Sequence, residues 1–300
     1  MADVFPLIPV VVIHWQDFGP TQRCIDSIAR SEGVRPHLIL VCHDVRNREE
    51  IDLKIPPHLP YDLLLDPKNR GFSGGMNRGI EKALEKNTDW IFLLNNDAAV
   101  ERTTLSTLLK ATAEQCRVSI VSPVIRTIHD PAEIQVAGGY VNLSTGRIKH
   151  SHQVPQSSKT WIPVQLASGC AMLIATDCLK KWGGFDERYF AYFEDAEICL
   201  RYRREGGRVG IVPSASVLHE AGKGDPIRFY YNVRNHFLIL SDYATDLSPP
   251  LAQLRTLAIV LRYLAFLVLR RPCPVVPGIA MIWHGYRDYR KARWGRFEAK

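Results

Sequence analysis

Trp90-Ile91-Phe92-Leu93-Leu94-Asn95-Asn96-Asp97 decides the fold. Its four consecutive apolar residues, Ile91 to Leu94, read as a strand buried on both faces, the pattern of a parallel sheet. The run then stops in two amides and a carboxylate. In open α/β sheets, ligands bind beyond the carboxyl ends of the strands. Oxygen donors at such an end suit a divalent cation held against a phosphate. Asn and Asp also close strands because they make good turns, so the surrounding chain has to carry part of the argument.

Outward from this strand the chain alternates strand and helix. Strands are expected at 9–14, 37–42, 62–65 and 90–94, with helices at 21–31, 74–86 and 101–116 between and after them. Pro20 suits a first helical turn. Such alternation implies right-handed βαβ units and a mainly parallel sheet with helices on both faces. Residues 127–160 are rich in Gly, Ser, His and Gln and read as turns and short strands. A strand at 165–174, helices at 177–181 and 194–205, strands at 209–212 and 216–219, and a helix at 226–241 follow.

Composition is that of a soluble globular protein. The apolar run Ile8–Ile13 lacks a basic leader and reads as a first strand, not a secretory signal. Seven cysteines without Cys-x-x-Cys spacing point to reduced thiols in a cytoplasmic setting and to no structural zinc. Charge is concentrated at one end. Residues 251–300 hold ten Lys/Arg and two Asp/Glu, whereas the first 250 hold 28 and 29. This divides the chain into a body, 1–247, and a basic tail, 248–300. Leu251–Leu269 is apolar nearly all round, but Arg255 and Arg262 interrupt it seven residues apart, on one face. Arginines at mid-segment are costly inside a bilayer. The segment therefore reads as an amphipathic helix lying in the membrane plane. A second helix at 278–294 mixes aromatic and cationic residues, which suits an anionic membrane surface. Packing of both helices on the body is the competing reading. Nucleic-acid binding is not expected, because the apolar 251–269 segment fits lipid better.

Three further segments carry candidate chemistry. Asn69-Arg70-Gly71-Phe72-Ser73-Gly74-Gly75-Met76-Asn77-Arg78-Gly79 lies between a strand and a helix, where glycines admit a ligand and a helix start offers N–H groups to an anion. It has neither the P-loop sequence nor the position of the Rossmann fingerprint. Phe193-Glu194-Asp195 opens a helix with two acids, which complement a helix dipole or supply a general base. Leu218-His219 ends a strand before Gly222-Lys223-Gly224. There His219 suits a metal and Lys223 a phosphate.

In this order, and with His14-Trp15, Ser168-Gly169, Gly183-Gly184-Phe185-Asp186 and Tyr230-Tyr231-Asn232-Val233-Arg234-Asn235, these motifs resemble the family 2 glycosyltransferases of the GT-A fold. Within them the rhamnosyltransferase-like branch of bacterial polysaccharide assembly is the most similar. The resemblance spans about residues 10–240. It implies a nucleotide-sugar-binding half (about 1–125) and an acceptor and catalytic half (about 126–247). It implies an inverting transfer from a dTDP-, UDP- or GDP-sugar, with rhamnose favoured, to a saccharide or lipid-linked saccharide at the inner face of the plasma membrane. By the same resemblance Asp97 and His219 hold Mg²⁺ or Mn²⁺, and Asn95 and Asn96 lie by the nucleotide. Asp195 is the base, with Glu194 beside it. His14, Trp15, Asn69, Arg70, Gly71 and Asn77 line the donor, and Lys223 or Arg234 offsets phosphate charge. Ser168, Gly169 and Trp182 shape the acceptor side. The family's usual acid at the end of the second strand is replaced by Cys42, leaving Asp44 as the candidate for base recognition. Two other functions stay open: a sugar nucleotidyltransferase, and a catalytically silent membrane-associated scaffold that binds nucleotide sugars.

Overall fold

A computed structural model describes residues 5–113, 117–156, 159–220 and 225–298. The first half runs β1 (Leu7–His14), α1 (Phe18–Ala29), β2 (Arg35–His43), β3 (Tyr61–Asp66), α2 (Gly71–Leu84), β4 (Trp90–Asn95), β5 (Ala98–Val100) and α3 (Thr104–Ala113). The second runs β6 (Val118–Thr127), β7 (Ile134–Val136), β8 (Gly139–Asn142), β9 (Arg147–His150), β10 (Ile162–Pro163), β11 (Ala171–Ala175), α4 (Thr176–Trp182), α5 (Glu194–Arg204), β12 (Arg208–His219) and α6 (Ile227–Tyr243). The tail forms α7 (Pro249–Arg270) and α8 (Val275–Arg290).

The main sheet has the order β10-β12-β6-β11-β4-β1-β2-β3, with β5 on β12 and β7 on β6. Strands β4, β1, β2 and β3 are mutually parallel, β11 is antiparallel to both neighbours, and β12 runs parallel to β6. Alternate residues of β1 feed two cores. Val10 and Val12 pack with Ile25 and Ile28 of α1 and Leu105 and Leu108 of α3. Val11 and Ile13 pack with Met76 and Ile80 of α2, Ile198 of α5 and Leu238 of α6. Neighbours of β1 are reached by opposite crossovers, so the crevice for a ligand opens at its carboxyl end, next to that of β4.

Several expected elements differ. Residues 118–127, most of which the sequence reading leaves unassigned, form the long β6. Pro123 fits because its partner β12 breaks register between Val212 and Ser216, where a proline is tolerated. That irregularity also joins the two strands expected at 209–212 and 216–219 into one. The run expected as a strand at 165–174 is regular only from Ala171. Helix α2 begins three residues early, at Gly71, whose φ of +73° packs it against Phe190. Gly75 and Gly79 leave no room for a Cβ against His43 and Val11, so they serve helix–sheet contact and not a ligand.

The tail folds back on the body. Tyr230 Oη donates to Asp288 Oδ2 (3.1 Å), Phe297 N to Tyr231 Oη (3.0 Å) and Arg234 Nη1 to the Gly295 carbonyl (2.8 Å). On α7, Arg262 turns inward to His236, while Leu254, Leu257, Leu261 and Val268 are each more than half exposed. Helix α7 is long and apolar enough to cross a membrane by length and composition. The described cysteines are free thiols.

Candidate functional site

Two cavities open side by side at the carboxyl ends of the strands. A cavity of about 440 Å³ is lined by Trp15, His43, Asn69, Gly71, Asn95, Asn96 and Asp97, and closed by Tyr231, Arg296 and Phe297. A second, of about 620 Å³, is lined by Glu194 and Asp195 and by Arg147, Arg228, His236 and Arg262. Tyr192 and Asp225 line both.

In the first cavity β4 delivers Asn95, Asn96 and Asp97, and the pairing of β5 with β12 sets His219 opposite Ala98. His219 Nε2 is 3.3 Å from Asp97 Oδ1. Gln135 Nε2 donates to the His219 carbonyl (3.2 Å), so its Oε1 accepts from His219 Nδ1–H at 2.9 Å. This fixes the tautomer and leaves the Nε2 lone pair facing Asp97. Asn95 Oδ1 and Asp97 Oδ1 are buried without a hydrogen-bond partner. Asn96 Nδ2 donates to Thr21 Oγ1 (2.9 Å), which lies 2.8 Å from His14 Nδ1. Asp44, at φ +58°, accepts from Trp15 Nε1 and from Asn69 N, both at 3.1 Å, and lies 3.5 Å from Arg296. Trp15 and the Asn69 loop thereby form one rim.

In the second cavity Asp195 lies in the first turn of α5. Its Oδ2 accepts from Gly169 N (3.0 Å) and its Oδ1 from Ala196 N (2.8 Å). Ser168 Oγ accepts from Cys170 N, which holds the turn behind it. Glu194 is buried, with Oε2 unpartnered. Burial, and then the charge of Asp195, push its carboxyl up to about 8. The preceding turn is strained: Phe190, Tyr192 and Phe193 all have φ between +60° and +73°. It is clamped by Asn235, whose Nδ2 is 2.7, 2.8 and 2.6 Å from the carbonyls of Tyr189, Ala191 and Tyr192, and by Arg234 Nη2 on the carbonyls of Arg188 and Tyr189.

Several residues expected at the donor or on the acceptor side lie elsewhere. Arg234 is fully buried under the Tyr230 and Tyr231 rings and reaches neither cavity. Its guanidinium instead satisfies backbone carbonyls. His14 is buried and stacked on Phe18; burial lowers it to about 4, so it is neutral at pH 7 and meets the site only through Thr21. Asn77 brackets Phe185, donating to its carbonyl (2.9 Å) and accepting from its N–H (2.8 Å). Arg70 is paired with Asp66 at 2.6 Å. Trp182 packs edge-on against Tyr202, outside both cavities. Cys42 points into the core. Lys223 lies outside the described residues.

The family profile described as glycosyltransferase-like family 2 matches residues 6–236. The chain belongs to the family 2 glycosyltransferases. This glycosyltransferase is 29% identical over 179 residues to the low-salt glycan biosynthesis hexosyltransferase Agl10 of Haloferax volcanii, spanning 57% of each chain. It is 24% identical over 241 residues to the N-acetylglucosaminyl-diphospho-decaprenol L-rhamnosyltransferase of Mycobacterium tuberculosis, spanning 73% of this chain and 76% of that one. Its fold matches that of a mannosyltransferase from Pyrobaculum calidifontis solved with GDP-Man and Mn²⁺, with a TM-score of 0.54, 16% identity and coverage of 95% and 82%. The fold is GT-A, and the curated relatives include hexosyl-, rhamnosyl- and galactofuranosyltransferases.

His43, Tyr192, Asp225 and Arg296 line the two cavities of this glycosyltransferase without having been singled out in the sequence, and Arg262, singled out only as an interruption of the apolar tail segment, lines the second. Only Tyr192 and His43 gave a signal, since each adjoins a residue that was. The others come from distant segments that only folding brings together.

Proposed function

We propose that this glycosyltransferase moves a hexosyl group, rhamnose by preference, from a nucleoside-diphosphate sugar to a hydroxyl of a saccharide or lipid-linked saccharide in cell-surface polysaccharide assembly. The observation that carries this reading is the meeting of the two cavities at Tyr192 and Asp225, with Asp97 in one and Asp195 in the other. The first takes the donor and the second the acceptor. Each Asp195 oxygen accepts one backbone N–H, which fixes the carboxylate while lone pairs remain for an acceptor hydroxyl. Asp195 takes the hydroxyl proton as the acceptor oxygen bonds to the anomeric carbon. The bond to the nucleoside diphosphate breaks with its electron pair leaving on phosphate oxygen. One such displacement inverts the anomeric carbon. Arg296, in the donor cavity, takes the charge-offsetting place that the buried Arg234 cannot fill.

A divalent cation, Mg²⁺ or Mn²⁺, fits the donor side. The support is the orphaned Asp97 Oδ1 facing an imidazole nitrogen whose tautomer is fixed from behind. Asp97 and His219 would hold it, with Asn95 Oδ1 alongside. When bound it neutralises charge on the diphosphate. Among the described residues no third His, Cys, Asp or Glu joins them, which leaves positions for diphosphate and water.

The mycobacterial relative's name gives a diphospho-decaprenol substrate, and a lipid-linked acceptor here agrees with the outward apolar faces of α7 and α8. Arg262 and Tyr263 of α7 bond to α6, so lipid cannot surround that helix, which favours lying in the membrane plane. An inner-leaflet surface is the partner that this face fits.

The test is Asp195→Asn. General-base assistance is worth about 10²–10⁴-fold. Turnover should fall by that factor, while dTDP-, UDP- or GDP-sugar still raises the melting temperature in the presence of Mn²⁺. Near-normal turnover, or loss of the donor response, would sink the assignment.

A further inference from the structure

The acceptor cavity contains cations that the transfer chemistry leaves without a role. Gly146, at φ +69°, lets the β8–β9 turn sit on His236, because any Cβ there would strike the imidazole. His236 Nε2 then donates to the Thr145 carbonyl at 2.6 Å. Burial lowers His236 to about 4, so the ring is neutral and its Nδ1 accepts from Arg262 Nη2 at 3.2 Å. The turn brings Arg147 to the same wall, where its charge acts on Arg262. Among the described residues neither Arg147 nor Arg262 has a carboxylate within ion-pair distance. Two guanidiniums held together in a cavity repel one another unless an anion joins them. Tyr263 and Phe266 of α7 line the cavity beside Arg262, and Phe266 is half exposed.

We propose that Arg147 and Arg262 form a diphosphate-binding subsite for an amphiphilic acceptor, with the apolar chain leaving along α7. The proposal rests on the reading of this cavity as the acceptor site. It places the acceptor's phosphates on the Arg147–Arg262 wall and its sugar toward Asp195. Arginine suits the task because its planar fork pairs with phosphate oxygens two at a time. His236 is a positioning residue that orients Arg262.

Farnesyl diphosphate is the probe. Binding to the full chain is measured by calorimetry with EDTA present, so that no divalent cation assists the donor cavity. Wild type should bind it more tightly than farnesol. Arg262→Gln and Arg147→Gln should each weaken it by about tenfold or more, with Arg262→Lys intermediate. Farnesol binding should be unchanged in all three, which also reports that the cavity is folded. Added UDP, GDP or dTDP should not displace the probe. Unaltered farnesyl diphosphate binding in both glutamine variants, or displacement by a nucleoside diphosphate, would overturn the subsite. Inorganic pyrophosphate binding as tightly as farnesyl diphosphate would overturn the amphiphilic acceptor in favour of a soluble anion. Failure of the glycosyltransferase reading shows separately, as no melting response to any nucleotide sugar with Mn²⁺.

Discussion

Asn235→Asp tests how far the Asn235 amide holds the turn before Asp195. The change conserves volume. It converts the donors that Asn235 places 2.6–2.8 Å from the carbonyls of Tyr189, Ala191 and Tyr192 into acceptors. Asn235 is fully buried, so no water replaces them. An ordinary hydrogen bond is worth about 1 kcal/mol net, and a buried polar group left unsatisfied costs about 1–3 kcal/mol. With two N–H groups lost and carbonyls stranded against a carboxylate, the expected destabilisation is about 3–5 kcal/mol. Typical domain stability is about 5–15 kcal/mol, so the protein should still fold. The strain in Phe190, Tyr192 and Phe193, of the order of 1–3 kcal/mol per residue, would then relax and carry Asp195 with it. Misplacement of a catalytic group by about 1 Å can cost 10²-fold in rate. Urea unfolding measures the first effect and single-turnover transfer the second, with nucleotide binding at the Asp97 side as the control that should survive. A loss of stability below about 1 kcal/mol, or unaltered transfer in a variant destabilised as expected, would refute the clamp.

Glu194→Gln should flatten the pH dependence of stability. The folded carboxyl is raised from 4.5 to about 8, so the folded state keeps a proton that the unfolded chain releases. This contribution is complete below about pH 4.5 and is lost as pH rises through about 8, at no more than about 1.4 kcal/mol per pH unit. Urea midpoints for wild type should therefore fall from pH 5 to 8 more steeply than for the variant; parallel curves would show that Glu194 ionises freely. For the tail, Leu254→Glu with Leu257→Glu should lower flotation with anionic liposomes and leave the donor's melting shift intact. Equal flotation would remove the membrane from the account.

The legible part of the fold was the part written in continuous hydrophobicity. β4 announces itself by four apolar residues and an abrupt polar stop, and β1 and β2 do so almost as clearly. β6 does not. Ser119 and Ser122 are buried in it and Pro123 interrupts it, so locally it reads as loop. Its strand character comes from pairing with β11 and β12, and only the irregularity in β12 explains how a proline is accommodated. The inward turn of Arg262 was equally invisible. Seven-residue spacing correctly put Arg255 and Arg262 on one face of α7, but the spacing alone does not say whether that face meets water or protein.

The site divides along the same line. The roles proposed for Asp97, His219 and Asp195 come from position: each sits where a strand ends or a helix begins, and backbone geometry alone carries such residues to the open edge of the sheet. Arg234, Asn77 and His14 were given ligand roles because polar residues in a recognisable motif invite them. Each is instead absorbed by the protein: Arg234 by the carbonyls of Arg188, Tyr189 and Gly295, Asn77 by Phe185, and His14 by Thr21. A motif records that a side chain of a given chemistry is required, but not whether its partner is a ligand or a strained backbone. At Arg234 and Asn235 the two requirements converge. The strained turn that presents Asp195 exposes carbonyls no helix or strand can satisfy, and buried donors on α6 are the physical means of keeping that turn in place.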